Sequence, residues 1–322
     1  MPMIDLKNVA DEVLEASVVG SFTKVGYEAR RRLFGWEDLD ELSMDDKVIV
    51  ITGGNSGLGL VAAAEMARLG AAVRIVVRNA ERGEAARRTI AEAGNGDVRV
   101  YLADLSSLAS VRVAAEEIRR AESRIDVLIH NAGALLTERR ASSEGHEMTF
   151  ATMVLGPFLL TQELLPVLRG TSGSRVLWIS SGGMYTQSLN VDLLEMDAEG
   201  YRGSVAYARA KRAQVTLAEE WAKRLRDDGI VVHAMHPGWA DTPGLETGLP
   251  GFRTLLGPIL RTPQEGADTI VWLAAAAEPG RSTGRFWLDR RPRSTRKVVH
   301  TGATTEERTR LWALCERLTA ED

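Results

Sequence analysis

Apolar residues are arranged along this chain in two rhythms. From Lys47 onward, short apolar runs at residues 48–51, 72–77, 98–103, 127–130, 175–180, 230–236 and 285–288 alternate with longer stretches whose apolar positions recur at helical spacing. That alternation predicts an α/β protein built on a doubly wound parallel sheet with helices on both faces. It runs nearly to the C-terminus, so residues 45–322 are expected to form a single domain with no repeat beyond the βα unit. Ahead of it, residues 1–44 place Val9, Val13, Ala16 and Val19 at helical spacing, then Phe22, Val25, Tyr27, Leu33, Phe34 and Trp36. They predict a helical extension whose apolar face is covered by the domain or by a second subunit. The alternative is an interfacial membrane anchor helped by Lys24, Arg30, Arg31 and Arg32. The last helix opens on Thr304 with Glu307, the pattern of a capping box, before Leu311, Leu314 and Leu318.

In such a sheet ligands bind outside the carboxyl ends of the strands, so the residues closing each strand carry the candidate chemistry. The first strand runs into Thr52-Gly53-Gly54-Asn55-Ser56-Gly57-Leu58-Gly59 and then into an Ala-rich helix. A helix that starts at a glycine turn presents unpaired N–H groups and the positive end of its dipole, so a dinucleotide pyrophosphate fits there with little side chain between. The second strand ends at Arg78, whose guanidinium fork suits the 2′-phosphate of NADP; NAD usually calls for an acidic residue in this place. Asp104 and Leu105 close the third strand, where an adenine would lie. Asn131, Ala132 and Gly133 close the fourth, and Ser180-Ser181 the fifth. Tyr207 and Lys211 lie one helical turn apart, which puts a phenol and an ammonium on one face. A free phenol titrates near pH ~10, and a neighbouring ammonium that lowers it by two or three units, roughly 3–4 kcal/mol, makes it a proton donor at neutral pH.

Composition narrows the reading. A chain of 322 residues with 44% hydrophobic content buries one large core. Its net charge of −4 weighs against nucleic acid as a partner, and the local excess at Arg290, Arg291, Arg293 and Arg296 reads as a solvated loop. The single Cys315 excludes an intramolecular disulfide and a zinc set, and it lies on an apolar stripe as a buried structural thiol would, which fits a reducing compartment. His233 and His236 are three apart on a strand and face opposite ways, so no metal is expected. His146 reads as a surface residue, and Trp178, Trp221, Trp272 and Trp312 as core. No stretch reads as long and apolar enough to span a bilayer, and the acidic start lacks the features of a signal peptide. A cytoplasmic protein, soluble or in peripheral contact with a membrane, is expected.

Taken in order, the strand ends resemble the short-chain dehydrogenase/reductase family from Val48 to Leu288. The resemblance is carried by the glycine turn, Asp104, Asn131-Ala132-Gly133, Ser181, Tyr207-Ala208-Arg209-Ala210-Lys211 and Pro237-Gly238-Trp239-Ala240-Asp241-Thr242. Residues 180–184 and 235–244, Lys24-Val25-Gly26-Tyr27-Glu28 and Gly284-Arg285-Phe286-Trp287 are similar to the branch called dehydrogenase/reductase SDR family member twelve. The resemblance implies a Rossmann-like fold and hydride transfer between a nicotinamide and an alcohol or carbonyl. It assigns Tyr207 as general acid or base, Lys211 to lowering the tyrosine pKa and holding the nicotinamide ribose, and Ser181 to the substrate oxygen, with Ser180 facing the sheet. Thr52, Gly53, Asn55, Ser56, Gly57, Leu58, Gly59, Arg78, Asp104, Leu105, Asn131, Ala132, Gly133, Tyr207, Lys211, Pro237 and Gly238 would line the cofactor, with Thr242 on its carboxamide.

One position departs from the family pattern. Met153 stands where the family has an asparagine that holds a water in the proton relay to Lys211, and a thioether is a weak acceptor and no donor. Thr152 is adjacent but points about 100° away on a regular helix. Two segments should shape the substrate pocket: residues 182–204, and a lid over residues 239–263. The lid's Leu249, Phe252, Leu255, Leu256, Ile259 and Leu260 form an apolar stripe, suited to a retinoid, steroid or lipid-derived carbonyl or to closure onto the core. A homo-oligomer is compatible with all of this. The competing reading, motivated by Met153 and the extension, is a cofactor-binding protein of weak or no catalysis that acts as a lipid-surface or partner-binding module.

Overall fold

The apolar runs form strands β1 (Val48–Thr52), β2 (Ala72–Val77), β3 (Val98–Leu102), β4 (Val127–His130), β5 (Arg175–Ile179), β6 (Val231–Met235), β7 (Arg285–Leu288) and β8 (Arg291–Arg293). These are the strands of a computed structural model that describes residues 5–94, 96–244, 251, 254, 256–297 and 301–320. They make one sheet in the order β3-β2-β1-β4-β5-β6-β7-β8, parallel except for the antiparallel β7–β8 pair. Between them come helices α4 (Gly57–Arg68), α5 (Ala80–Ala93), α6 (Leu108–Ala121), α7 (Met148–Phe150), α8 (Gly156–Arg169), α9 (Gly203–Arg224), α10 (Pro263–Ala275) and α11 (Thr305–Leu318). The extension is α1 (Leu6–Ala16), α2 (Val18–Phe22) and α3 (Lys24–Phe34).

Side chains alternate across a strand, and the two faces bury two cores. Val50, Leu128, Val176 and Val232 point into one core with residues of α6, α8, α9 and α11, whereas Ile49, Ile51, Ile129 and Leu177 point into the other with residues of α4, α5 and α10. The sheet is therefore covered on both faces, as the near-continuous apolar runs require of parallel strands. Strand order reverses at β1, which pairs with β2 on one side and β4 on the other. The crevice at this switch point opens beyond Thr52 and His130, where the glycine turn and the Asn131 loop emerge.

Several expectations are corrected. The Arg-rich segment is not a solvated loop: Asp289 and Arg290 take positive φ of 54° and 55°, the chain reverses, and β8 pairs with β7. Arg290 is buried and pairs with Asp268 at 2.7 Å, and Arg293 pairs with Asp11 at 2.7 Å. In the extension, Val9, Val13 and Val19 face outward at 44%, 68% and 50% exposure, so no apolar stripe docks there. The inward side carries Asp11, Phe22, Tyr27 and Arg30 instead, and Arg30, expected among the cations of a surface anchor, is fully buried. The continuous helix from Met148 to Arg169 is, contrary to expectation, long and apolar enough to cross a membrane, but two thirds of its most apolar window is buried in the core, 67% by residue. At Thr304 only half of the capping box forms: its hydroxyl caps Glu307 N–H, while the Glu307 carboxylate accepts from Val191 N–H and pairs with Arg310. His146 is half-buried and bonded to Glu195 at 3.1 Å rather than free on the surface.

Candidate active site

The site is assembled from the glycine turn upward. Gly57 has φ 53°, a left-handed turn that lets α4 start with its amides aimed outward, and Ser56 at the N-cap provides no side-chain cap for them. A methyl group on Gly59 would stand 2.3 Å from Asn131 Nδ2 and 2.4 Å from Gly53 O, so only glycine lets the helix approach the next strand end. Asn131 uses that proximity: Nδ2 donates to Thr52 O at 3.0 Å and to Gly53 O at 3.2 Å. Thr52 Oγ1 accepts from Asn131 N–H and Ala132 N–H, both at 3.1 Å. Thr52, Gly53, Asn131 and Ala132 are thus one rigid wall of the crevice. Gly57 also faces the lid root, since a methyl there would meet Thr242 Cβ at 3.7 Å and Pro243 Cδ at 3.8 Å. Uncapped amides, an outward helix dipole and a glycine surface with no side chain in the way suit a dinucleotide pyrophosphate.

At the neighbouring strand ends, Arg78 is exposed just beyond β2. Asp104 turns its carboxylate onto Ser106, accepting from N–H at 2.9 Å and from Oγ at 2.7 Å, and Leu105 is buried in the core. Of this pair, Asp104 alone presents a side chain to the crevice rim.

The second wall is α9. Ser180 and Ser181 follow β5 in opposite senses: Ser180 Oγ is buried and donates to Lys211 O at 3.0 Å, while Ser181 Oγ accepts from Gly183 N–H at 3.3 Å on the side of the Tyr207 phenol. Lys211 Nζ lies over the Tyr207 ring, 5.4 Å from its centroid, and donates to Ile179 O at 2.6 Å. A methyl at Gly133 would stand 3.7 Å from that Nζ and 3.9 Å from Met153 Sδ. Ser181, Tyr207, Lys211, Gly133 and Met153 are therefore brought together. The electrostatics differ from the expected picture. Burial pushes the Tyr207 phenol above its ordinary value, with the Ser181 hydroxyl acting against the rise, and burial lowers the Lys211 ammonium to about 7. The ammonium sits over the ring rather than at the hydroxyl, so desolvation outweighs its pull on the phenol.

Met153 lies in a π turn over Ala151–Leu155, within the continuous helix that leads from α7 into α8, and is wholly buried. The lid root is a second anchored region. Trp239 N–H donates to Phe22 O at 2.7 Å, Arg261 N–H to Trp239 O at 2.8 Å, and Asp241 N–H to Arg261 O at 2.9 Å. Leu260 is buried there and Leu256 and Ile259 are half-buried, while Leu249, Phe252 and Leu255 of the expected stripe lie outside the described residues.

Two contributors escaped the sequence reading. Arg212 is buried and ties residues 182–204 to α9 through Met184 O at 2.8 Å and Gln187 O at 2.9 Å. Phe22, from the extension, stands edge-on to His236 and Trp239 with ring centroids 4.5 and 5.6 Å away, directly behind the ends of β5 and β6. The only sequence signal for Arg212 was a charge on the helix face opposite solvent; for Phe22 it was an aromatic ahead of the domain.

A doubly wound sheet with a bare glycine turn at its switch point, and a half-buried serine and tyrosine with a buried lysine beside it, defines a dinucleotide-dependent oxidoreductase. The short chain dehydrogenase family model matches residues 47–248, and the chain belongs to that family. Its chemistry is hydride transfer with a nicotinamide cofactor. The chain is 39% identical over 300 residues to dehydrogenase/reductase SDR family member 12 of Bos taurus, covering 92% of this chain and 93% of the relative. It is 32% identical over 316 residues to human retinol dehydrogenase 13, covering 95% and 94%. Among solved structures, the Pseudomonas aeruginosa RhlG/NADP active-site complex superposes with a TM-score of 0.63 at 26% identity, covering 76% of this chain and 94% of that one.

Proposed function

We propose that this protein is an NADP-dependent oxidoreductase that interconverts an apolar alcohol and its carbonyl, with Tyr207 as proton donor and acceptor. The observation that carries the reading is the gathering of Ser181, Tyr207 and Lys211 in one place, with the Lys211 ammonium over the Tyr207 ring and close to the Gly133 loop. Ser181 and Tyr207 present two hydroxyls to one substrate oxygen; Ser181 orients it and Tyr207 exchanges the proton. When bound, NADP supplies or accepts the hydride. Thr52, Gly53, Asn55, Ser56, Gly57, Leu58, Gly59, Asn131, Ala132, Gly133, Pro237, Gly238 and Thr242 would hold it, with Asp104 toward the adenine and Leu105 buried behind it. Arg78 is exposed beyond β2, where a 2′-phosphate would be met by its fork. The apolar substrate class draws on the half-buried Leu256 and Ile259 at the lid and on a relative named for retinol. The test is NADPH oxidation with a panel of apolar ketones and aldehydes, retinal included, by the wild type and Tyr207→Phe. Turnover that falls at least 1000-fold in the variant with NADPH binding retained is the expected result; equal turnover in both sinks the reading.

Met153 beside Lys211 favours a second reading, a cofactor-binding protein of weak catalysis. Under that reading neither the wild type nor Met153→Asn turns over any member of the panel, although both bind NADPH.

A further inference from the structure

Removing a carboxamide from position 153 leaves a buried site short of one amide, and another amide lies beside it. Gln214 is completely buried on α9, three residues beyond Lys211 and seven beyond Tyr207, so all three share a helix face. Helical side chains lean toward the N-terminus, which lays the Gln214 carboxamide over the turn that carries Lys211. Its Nε2 donates to Met153 O at 2.8 Å. A carbonyl only accepts, so this contact fixes which end of the amide is nitrogen and turns Oε1 the other way. Among the described residues, Gln214 Oε1 is buried and has no hydrogen-bond partner. Buried amide oxygens are nearly always paired, and an unpaired one on the helix face that carries the buried Lys211 is an acceptor waiting for a donor.

Resting on the functional reading above, we propose that Gln214 is the relay acceptor of this site, doing from α9 what the side chain absent at Met153 does not do. Its amide nitrogen locks the π turn through the Met153 carbonyl, and its oxygen seats the water that serves Lys211. During carbonyl reduction Tyr207 gives its phenolic proton to the substrate oxygen and is left as a phenolate. Lys211 passes a proton toward that phenolate and regains one from solvent through the seated water. The product alcohol keeps the proton that Tyr207 gave, the O–H bond broken at Tyr207 is re-formed, and one proton from solvent makes up the balance. Gln214 touches neither substrate nor cofactor: it is a positioning residue.

The experiment compares wild type, Gln214→Leu, Gln214→Glu, Met153→Asn and the double variant Gln214→Leu/Met153→Asn. Each is measured for kcat against pH, NADPH affinity by fluorescence, thermal midpoint, and Tyr207 titration by tyrosinate absorbance with Tyr207→Phe as blank. Gln214→Leu is expected to lower kcat at least tenfold, move the Tyr207 titration upward and leave NADPH affinity within twofold. Adding Met153→Asn should recover most of that loss, and Gln214→Glu should shift the pH profile while keeping the acceptor. An unchanged kcat, pH profile and tyrosinate midpoint in Gln214→Leu overturns the proposal. So does a loss that tracks the thermal midpoint and NADPH affinity and is not recovered by Met153→Asn, since that marks a structural role alone. A wild type without turnover on any carbonyl defeats the functional reading instead, and the tyrosinate titration then still decides the role of Gln214.

Discussion

Arg30 and Asp289, 259 residues apart in sequence and both completely buried, are joined by an ion pair of 2.7 Å. The same carboxylate receives both terminal Arg261 nitrogens, at 2.6 and 2.9 Å, and Arg261 reaches on to Ser21 O, Thr23 O and Pro237 O. Arg30 also holds Asp11 at 2.7 Å and Glu15 at 2.9 Å. One acidic side chain at the end of β7 thereby fastens the extension, the lid root and the loop after β6 to each other. Burial pushes the Asp289 carboxyl up, and the Arg261 and Arg30 charges more than offset it, so it stays ionised below the usual carboxylate range.

Arg30→Met removes one partner from two buried carboxylates. Breaking a buried pair from one side typically costs about 3–5 kcal/mol, because the remaining charge is left short of compensation. Urea unfolding should show a loss of that size. Limited proteolysis should cut both the extension and the segment after Thr242 sooner than in wild type. A loss of about 1 kcal/mol or less, the range of surface pairs, would show that the network is not what holds the extension.

Gly59→Ala tests the wall between the glycine turn and the Asn131 loop. The added methyl has to displace Asn131 Nδ2 or the Gly53 carbonyl, which its Cβ would approach to 2.3 and 2.4 Å. Overpacking of this kind costs about 1–3 kcal/mol, and it falls on groups that shape the pyrophosphate cradle. NADPH affinity should drop at least tenfold in a fluorescence titration, by more than the change in thermal midpoint alone explains. Unchanged affinity would place the cofactor elsewhere.

The sheet was legible because parallel strands buried on both faces leave uninterrupted apolar runs, and β2, β4 and β7 match residues 72–77, 127–130 and 285–288. The chemistry at the strand ends was legible because glycine turns and the Tyr207–Lys211 spacing are local. What stayed hidden depends on partners distant in sequence. Arg290 and Arg293 look solvated until Asp268 and Asp11 arrive from other elements. Val9 and Val13 fit a docking stripe equally well facing outward, because periodicity gives a face but not its direction. Gln214 was unreadable for the same reason: its meaning comes from the Met153 carbonyl, 61 residues away.

Arg78→Asp tests the phosphate assignment. It removes a guanidinium from an exposed strand end and puts a like charge against the 2′-phosphate. A charge-assisted hydrogen bond contributes about 1.5–3 kcal/mol, so NADPH affinity should fall about 10- to 100-fold. NADH, which lacks that phosphate, should bind as well as before or better. Titrating both cofactors against wild type and variant reads the ratio directly. A parallel loss for the two would mean that Arg78 supports the fold rather than the phosphate.

Three buried histidines set the acid limit of stability. Burial lowers His130 to about 3, His233 to about 4 and His236 to about 3. At His236 and His233 a donated N–H adds to the effect of burial. His236 Nδ1 accepts from Gly182 N–H at 3.1 Å and His233 Nδ1 accepts from Arg285 N–H at 3.2 Å, so an added proton would set donor against donor. With folded pKa values below the unfolded ~6.5, the unfolded chain binds more protons between pH 6.5 and about 4. The stabilisation is complete above pH ~6.5 and is lost as pH falls, by about 2 kcal/mol per histidine between pH 7.5 and 5. Unfolding curves in urea should show that decline. His233→Gln, which can still donate to Pro279 O and accept from Arg285 N–H, should lower stability at neutral pH but flatten the decline by about one histidine's share. Parallel curves for wild type and variant would mean that His233 takes up its proton at the same pH folded and unfolded, and would overturn the prediction.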